Sequence, residues 1–124
     1  MESIILFAHG ARDPEWARPL QRLREAVLAR SPEADVQLAF LEFMTPDLGG
    51  AIDAAAAAGA SQVSVVPVFL AQGGHVRRDV PVILEAAQTR HPAVQINLRP
   101  VLGEAQTVIE AMATCVLETG RTSD

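Results

Sequence analysis

The sequence predicts an α/β protein: a four-stranded parallel sheet with helices on both faces. Three observations carry that prediction. Four β-prone runs alternate with four helix-like runs at intervals of roughly thirty residues, the spacing that repeated βαβ units produce. The first strand run, 3–8, is nearly continuous in apolar residues, as a strand covered on both faces should be. The 124 residues suffice for one hydrophobic core and not two, so a single domain over 1–124 is expected, with a loose tail from 118.

The first strand is SIILFA (3–8), and the others are DVQLAFLEF (35–43), QVSVVPVFL (62–70) and VQINLRPVL (94–102). Pro67 has no N–H to give and marks the end of its ladder. Between the first two strands, Asp13-Pro14 offers an N-cap and first-turn proline, and Trp16, Leu20, Leu23 and Val27 then recur at helical spacing as a core stripe. The second helix opens at Thr45-Pro46-Asp47 and runs through Leu48, Ile52 and a block of alanines that suits close packing on a sheet, with Gly59 as its left-handed terminus. The third is expected to begin around Asp79-Val80-Pro81 and to stop at Arg90-His91-Pro92. The fourth, from about Glu104 to Gly120, sets Val108, Met112, Cys115 and Val116 on one side, with Cys115 as a small core residue.

Composition narrows the function. Hydrophobic residues make up 49% and charged residues 20%, and no run of eighteen apolar residues exists to span a membrane. The N-terminal run has no basic region or cleavage site and reads as a strand. A single cysteine excludes an intrachain disulfide and fits a reducing compartment such as the cytoplasm. A net charge of −5 argues against general nucleic-acid binding, and without tyrosine and with one tryptophan there is no base-stacking platform.

In open α/β sheets, ligands bind outside the carboxyl ends of the strands, where the βα loops converge. Three loops qualify, with His9, Arg12 and Asp13 in the first, Glu42, Thr45 and Asp47 in the second, and Gln72, His75, Arg77, Arg78 and Asp79 in the third. His9 and His75 each closely follow a strand, and both reach one pocket if those strands are neighbours. Neutral imidazole is at once a divalent-metal ligand and a base that titrates near neutrality. Gly10, Gly73 and Gly74 would let the backbone turn sharply beside a bulky ligand. Arg12, Arg77 and Arg78 suit carboxylate recognition, with a solvated face as the alternative. Glu42 ends an apolar run as a buried base, a metal-associated carboxylate or a plain strand-end residue. Asp13, Thr45 and Asp79 fit helix caps as well as ligands, and His91 fits a solvated cap.

With those residues in view, the chain resembles the short-form sirohydrochlorin chelatases, the CbiX/SirB-like members of the class II chelatase superfamily. LFAHGARDPEW matches the family's strand followed by His-Gly-Ser-Arg, and PVFLAQGGHVRRDVP is similar to its Pro-x-Phe-Leu, glycine, His, Asp-x-Pro pattern. Glu42 in FLEFMTPDL stands where the family has an acidic residue after the second strand. The resemblance covers nearly the whole chain and implies a chelatase-like, flavodoxin-like three-layer sandwich. It implies insertion of a divalent metal, cobalt first and then iron or nickel, into the octacarboxylate tetrapyrrole sirohydrochlorin for cobalamin or sirohaem. It makes His9 and His75 the metal-binding and proton-accepting pair, Glu42 their helper, and the protein a homodimer. No organic cofactor is implied. Ala11 replaces the family's usual serine, which removes a hydroxyl contact.

Two rival readings fit the same residues. His-Gly after a first strand is similar to the histidine phosphatases and phosphoglycerate mutases, but those carry Arg-His-Gly where this chain has Ala8, and the chain is short for that fold. A metal- or tetrapyrrole-carrying protein without turnover would use the same histidines, and only turnover separates it from an enzyme.

Overall fold

The computed structural model describes residues 1–118, apart from the side chain of His75. Its elements are β1 (Glu2–Ala8), α1 (Arg18–Arg30), β2 (Asp35–Phe40), α2 (Leu48–Ala57), β3 (Gln62–Pro67), α3 (Gly74–Arg90), β4 (Gln95–Leu98) and α4 (Gln106–Glu118). Short 3₁₀ turns occupy Pro14–Ala17 and Leu102–Glu104. All strand pairs are parallel, in the order β2-β1-β3-β4. The predicted fold class is the one the chain adopts, and β1 and β3 are neighbours.

Side chains alternate between the two faces of the sheet. Ile5, Phe7, Val63 and Val65 meet Leu48 and Ile52 of α2 and Val80 and Ala87 of α3 on one side. On the other, Leu6, Val36 and Phe40 meet Ala17 and Leu20. Fully burying side chains such as Ile5 and Phe7 contributes about 1.5–3 kcal/mol each. Ala51 and Ala55 are wholly buried, so the alanine block does let α2 lie close. Its N-cap is Asp47, whose carboxylate accepts from the Gly50 N–H at 2.8 Å, and Gly59 follows its end at φ +98°. Thr45 does not cap it. Asp13 does cap the first 3₁₀ turn, accepting from the Glu15 N–H at 3.0 Å.

Several expectations are corrected. The strands stop sooner than their apolar runs, β2 at Phe40 and β3 at Pro67, so the last apolar residues of each run enter the loops. Trp16 is 56% exposed and not core, because Pro14–Ala17 is a 3₁₀ turn and its three-residue period throws Trp16 out of phase with Leu20. Leu23 and Val27 do pack on the core. The third helix begins at Gly74, not near Asp79, and Pro81 lies inside it, leaving the Arg77 carbonyl without an N–H from position 81. Asp79 is therefore a helix residue and not a cap.

Helix α4 is also corrected. None of its residues is buried, Ile109 and Leu117 are exposed, and Cys115 is an exposed free thiol rather than a core residue. The helix packs mainly against the 3₁₀ turn before it. Glu118 closes α4, and the rest of the expected tail, with the helix end at Gly120, lies outside the described residues. No helix among the described residues is long and apolar enough to cross a membrane.

His91 caps α3 as expected but is not solvated: its Nε2 lies 2.6 Å from Asp53 Oδ1 of α2. Arg90 donates to the same oxygen at 3.0 Å. The His91 hydrogen bond, then the Arg90 contacts, hold the Asp53 carboxyl below its ordinary value of 3.8 against some desolvation. A depressed folded value means that this contribution is complete above the ordinary value and is lost as pH falls through the folded one. With Asp53 about half exposed, Asp53→Asn is expected to cost no more than about 1 kcal/mol at pH 7. Thermal melts should show the gap to wild type closing only below about pH 3.8.

Candidate active site

The path of the chain sets the position of the site. From β1 it passes through α1 to β2 on one side, then returns across β1 to β3, so the strand order reverses between β1 and β3. Ligands bind outside the carboxyl ends at such a switch point. Phe7 of β1 pairs with Pro67 of β3 there. His9 follows β1 directly, and His75 is the second residue of α3, so both backbones emerge at one edge of the sheet.

His9 is held from three directions. Its Nδ1 lies 3.1 Å from Glu42 Oε1, its ring meets Phe69 edge-on at 4.9 Å between centroids, and its carbonyl accepts from Trp16 Nε1 at 3.1 Å. Phe69 is itself edge-on to buried Phe7 at 5.7 Å, so the imidazole is braced on the core. An ionised carboxylate only accepts, so the Glu42 bond takes the Nδ1–H and leaves the Nε2 lone pair of the neutral ring free. The His9 side chain is 46% exposed, so the ring is accessible to a ligand. Glu42 is 37% exposed, so it is a half-buried partner of His9 and not a deeply buried base.

Gly10 is where the two loops touch. A Cβ there would lie 1.8 Å from the Glu42 carbonyl oxygen and 3.4 Å from the Met44 nitrogen. Only glycine permits this approach, which keeps the Glu42 loop against His9. The expectation does not extend to the other two glycines. Gly73, the N-cap of α3, has φ −73° and open space, and a Cβ on Gly74 would meet only the end of Arg78 at 3.8 Å.

The three arginines divide. The Arg12 guanidinium sits over the Phe43 ring at 5.2 Å. Arg77 and Arg78 are exposed on the first turns of α3, where Arg77 Nη2 donates to the Gln72 carbonyl at 3.2 Å. Beside His9 is a recess of about 230 Å³ lined by Ala8, Trp16, Pro19, Leu20, Phe40 and Val68. A larger groove of about 750 Å³ runs from Arg12 and Phe43 along β2 to Gln21 and Arg24. We centre the site on His9, because the larger groove carries no comparable pair of acid and base.

Trp16 and Phe69 touch His9, and neither contact is legible in the candidate loops of the sequence. The helical stripe points Trp16 to the core, whereas its position seven residues after His9, on the next turn, is the signal for the contact it makes. Phe69 carries no signal in sequence beyond belonging to the apolar run 62–70.

An open parallel sheet with a carboxylate-oriented imidazole at its switch point belongs to the class of small-ligand-binding α/β proteins. The CbiX family model matches residues 3–119, and the chain belongs to that family. It is 30% identical to the sirohydrochlorin cobaltochelatase of Priestia megaterium, over 97% of this chain and 39% of that protein. A CbiX protein of Marinobacter aquaeolei VT8 linked to cobalamin (vitamin B12) biosynthesis superposes with a TM-score of 0.86 at 33% identity, over 99% of this chain and 100% of that one. The sirohydrochlorin chelatase SirB of Bacillus subtilis subspecies spizizenii, in complex with cobalt, gives 0.79 at 25% identity, over 99% of this chain and 55% of that one. The chain spans 39% to 64% of the length of several curated relatives.

Proposed function

We propose that this protein is a sirohydrochlorin chelatase that inserts a divalent metal, cobalt first and then ferrous iron or nickel, in a cytoplasmic route to cobalamin or sirohaem. The observation that carries the reading is the exposed His9 imidazole, oriented through Nδ1 by Glu42 at 3.1 Å, in a chain of this family. Insertion breaks two pyrrole N–H bonds, forms the metal–nitrogen bonds and releases two protons, so it needs a base and a metal donor at one face of the macrocycle. His9 Nε2 supplies one of these and His75, from the first turn of α3, the other. Glu42 stabilises the imidazolium when His9 holds a proton. Arg12, Arg77 and Arg78 serve the substrate's carboxylates in an otherwise acidic protein, and Gly10 keeps the Glu42 loop close to His9 beneath it.

The deciding experiment is anaerobic absorbance of sirohydrochlorin with cobalt, ferrous iron or nickel, using catalytic amounts of wild type, His9→Ala and His75→Ala. Acceleration over spontaneous insertion that both substitutions abolish supports the reading and ranks the metals. Stoichiometric binding with no turnover would instead make the protein a carrier.

The reading includes a homodimer. The recess beside His9, at about 230 Å³, is smaller than the roughly 300 Å³ that small-ligand sites reach, so a macrocycle resting there keeps its other face in water. SirB, of which this chain covers 55%, has further chain that could close such a site; a second copy is the equivalent source here. Helix α4 offers the apolar contact, with Ile109 and Leu117 exposed. Light scattering at micromolar concentration should give twice the 13.2 kDa chain mass, and Ile109→Glu with Leu117→Glu should give the monomer with slower insertion. A monomeric wild type would refute the dimer.

A further inference from the structure

Phe43 is the one non-glycine residue with positive φ among the described residues, at +67°. The Met44 N–H donates to the Glu42 carbonyl at 2.8 Å across it. A bond from i to i+2 around a positive φ is the rare, strained form of γ-turn. A bulky residue is an outlier in that conformation, which persists only where the surrounding structure enforces it. Here burial offers little, because Phe43 is 64% exposed. Backbone strain that the core does not offset is characteristic of functional sites.

The turn has two geometric consequences. It is pressed against Gly10, where no Cβ would fit beside the Glu42 carbonyl, so its course is fixed. It also sends consecutive side chains in different directions: the Glu42 carboxylate goes to His9, while the Phe43 ring goes outward under Arg12. A guanidinium held over an aromatic face within about 6 Å is attracted through its charge and keeps N–H donors for a carboxylate. Leu70 is comparably exposed at the same edge of the sheet, but its backbone is not at positive φ and it has no aromatic face to offer a cation. The Phe43 and Arg12 pair thus joins an apolar plate to an anion-binding fork next to the His9 and Glu42 pair.

We propose that Phe43 is a positioning residue: its strained turn holds the ring against one face of the tetrapyrrole beside His9, while Arg12, stacked behind it, takes a carboxylate at the macrocycle's rim. This rests on the chelatase reading. Glycine accepts positive φ without strain, and asparagine nearly so, which separates a structural role from a positioning one.

The test compares wild type, Phe43→Gly and Phe43→Asn. Binding of metal-free sirohydrochlorin is followed anaerobically by fluorescence, alongside Tm and the insertion kinetics. The expected result is a Tm equal to or above wild type in both variants, a Kd weakened about tenfold, and KM raised in step with kcat within about threefold. Arg12→Gln should weaken binding and flatten its dependence on salt. Wild-type Kd in Phe43→Gly, or a fall in Tm with KM unchanged, overturns the assignment. Wild type that neither binds sirohydrochlorin nor inserts metal fails the chelatase reading itself, whereas an active wild type with an indifferent Phe43 fails only this inference.

Discussion

Replacing His9 by alanine is expected to slow metal insertion by about 10²- to 10⁴-fold, the range over which a positioned base or donor acts. Tm should move little, because the imidazole is nearly half exposed and its loop is held by other contacts: the Trp16 bond goes to the His9 carbonyl, which alanine retains. Glu42→Gln should cost less, about 10- to 100-fold, since an amide oxygen can still accept the Nδ1–H but lacks the charge that favours imidazolium. The sharper result lies in the double variant. If Glu42 acts through His9, then Glu42→Gln in the His9→Ala background should change the rate by no more than about threefold, because the group it orients has gone. Initial rates from anaerobic absorbance, corrected for spontaneous insertion, complete the cycle. Independent, multiplying losses would mean that Glu42 meets substrate or metal by itself and that the 3.1 Å contact is incidental to its role.

The parts legible in the sequence were those with local signals. β-prone runs alternating with helix-length segments mark the four parallel strands, and Pro67 marks the end of β3. His9 and Glu42 could be singled out because each follows a strand, although their contact spans 33 residues and depends on β1 and β2 pairing in register. Where the reading failed, a local rule met a competing one. Pro81 looks like a first-turn proline, yet α3 had already begun at Gly74, because Gly73 is an adequate cap and the helix tolerates one missing N–H. Trp16 fits a helical stripe only if its turn is α and not 3₁₀. Periodicity in α4 announces an apolar face without saying whether the cover comes from the same chain. Phe43 gives no warning at all: its positive φ lies in the loop packed on Gly10, and no glycine or asparagine marks it.

Gly10→Ala should be the most disruptive single methyl in the site. The added carbon would stand 1.8 Å from the Glu42 carbonyl oxygen and 3.0 Å from its carbon. Both are backbone atoms, so no side-chain rotation relieves the overlap. The Glu42 loop is also tied down, with the Leu41 N–H on the Ala8 carbonyl at 2.9 Å and the Phe40 N–H on the Pro46 carbonyl at 3.0 Å. Forcing it away is expected to cost about 2–3 kcal/mol, read as a fall in Tm of about 8–15 °C. Activity should fall further than stability explains, because the displaced segment carries Glu42 away from Nδ1 of His9. Gly73→Ala is the control. At φ −73° with nothing within 4 Å, its effect should stay within about 1 kcal/mol, a gain from a stiffer unfolded chain set against a weaker N-cap. Wild-type melting of Gly10→Ala would mean that the two loops can separate freely. The geometry at His9 would then be one arrangement among several, and the strain at Phe43 would lose its cause.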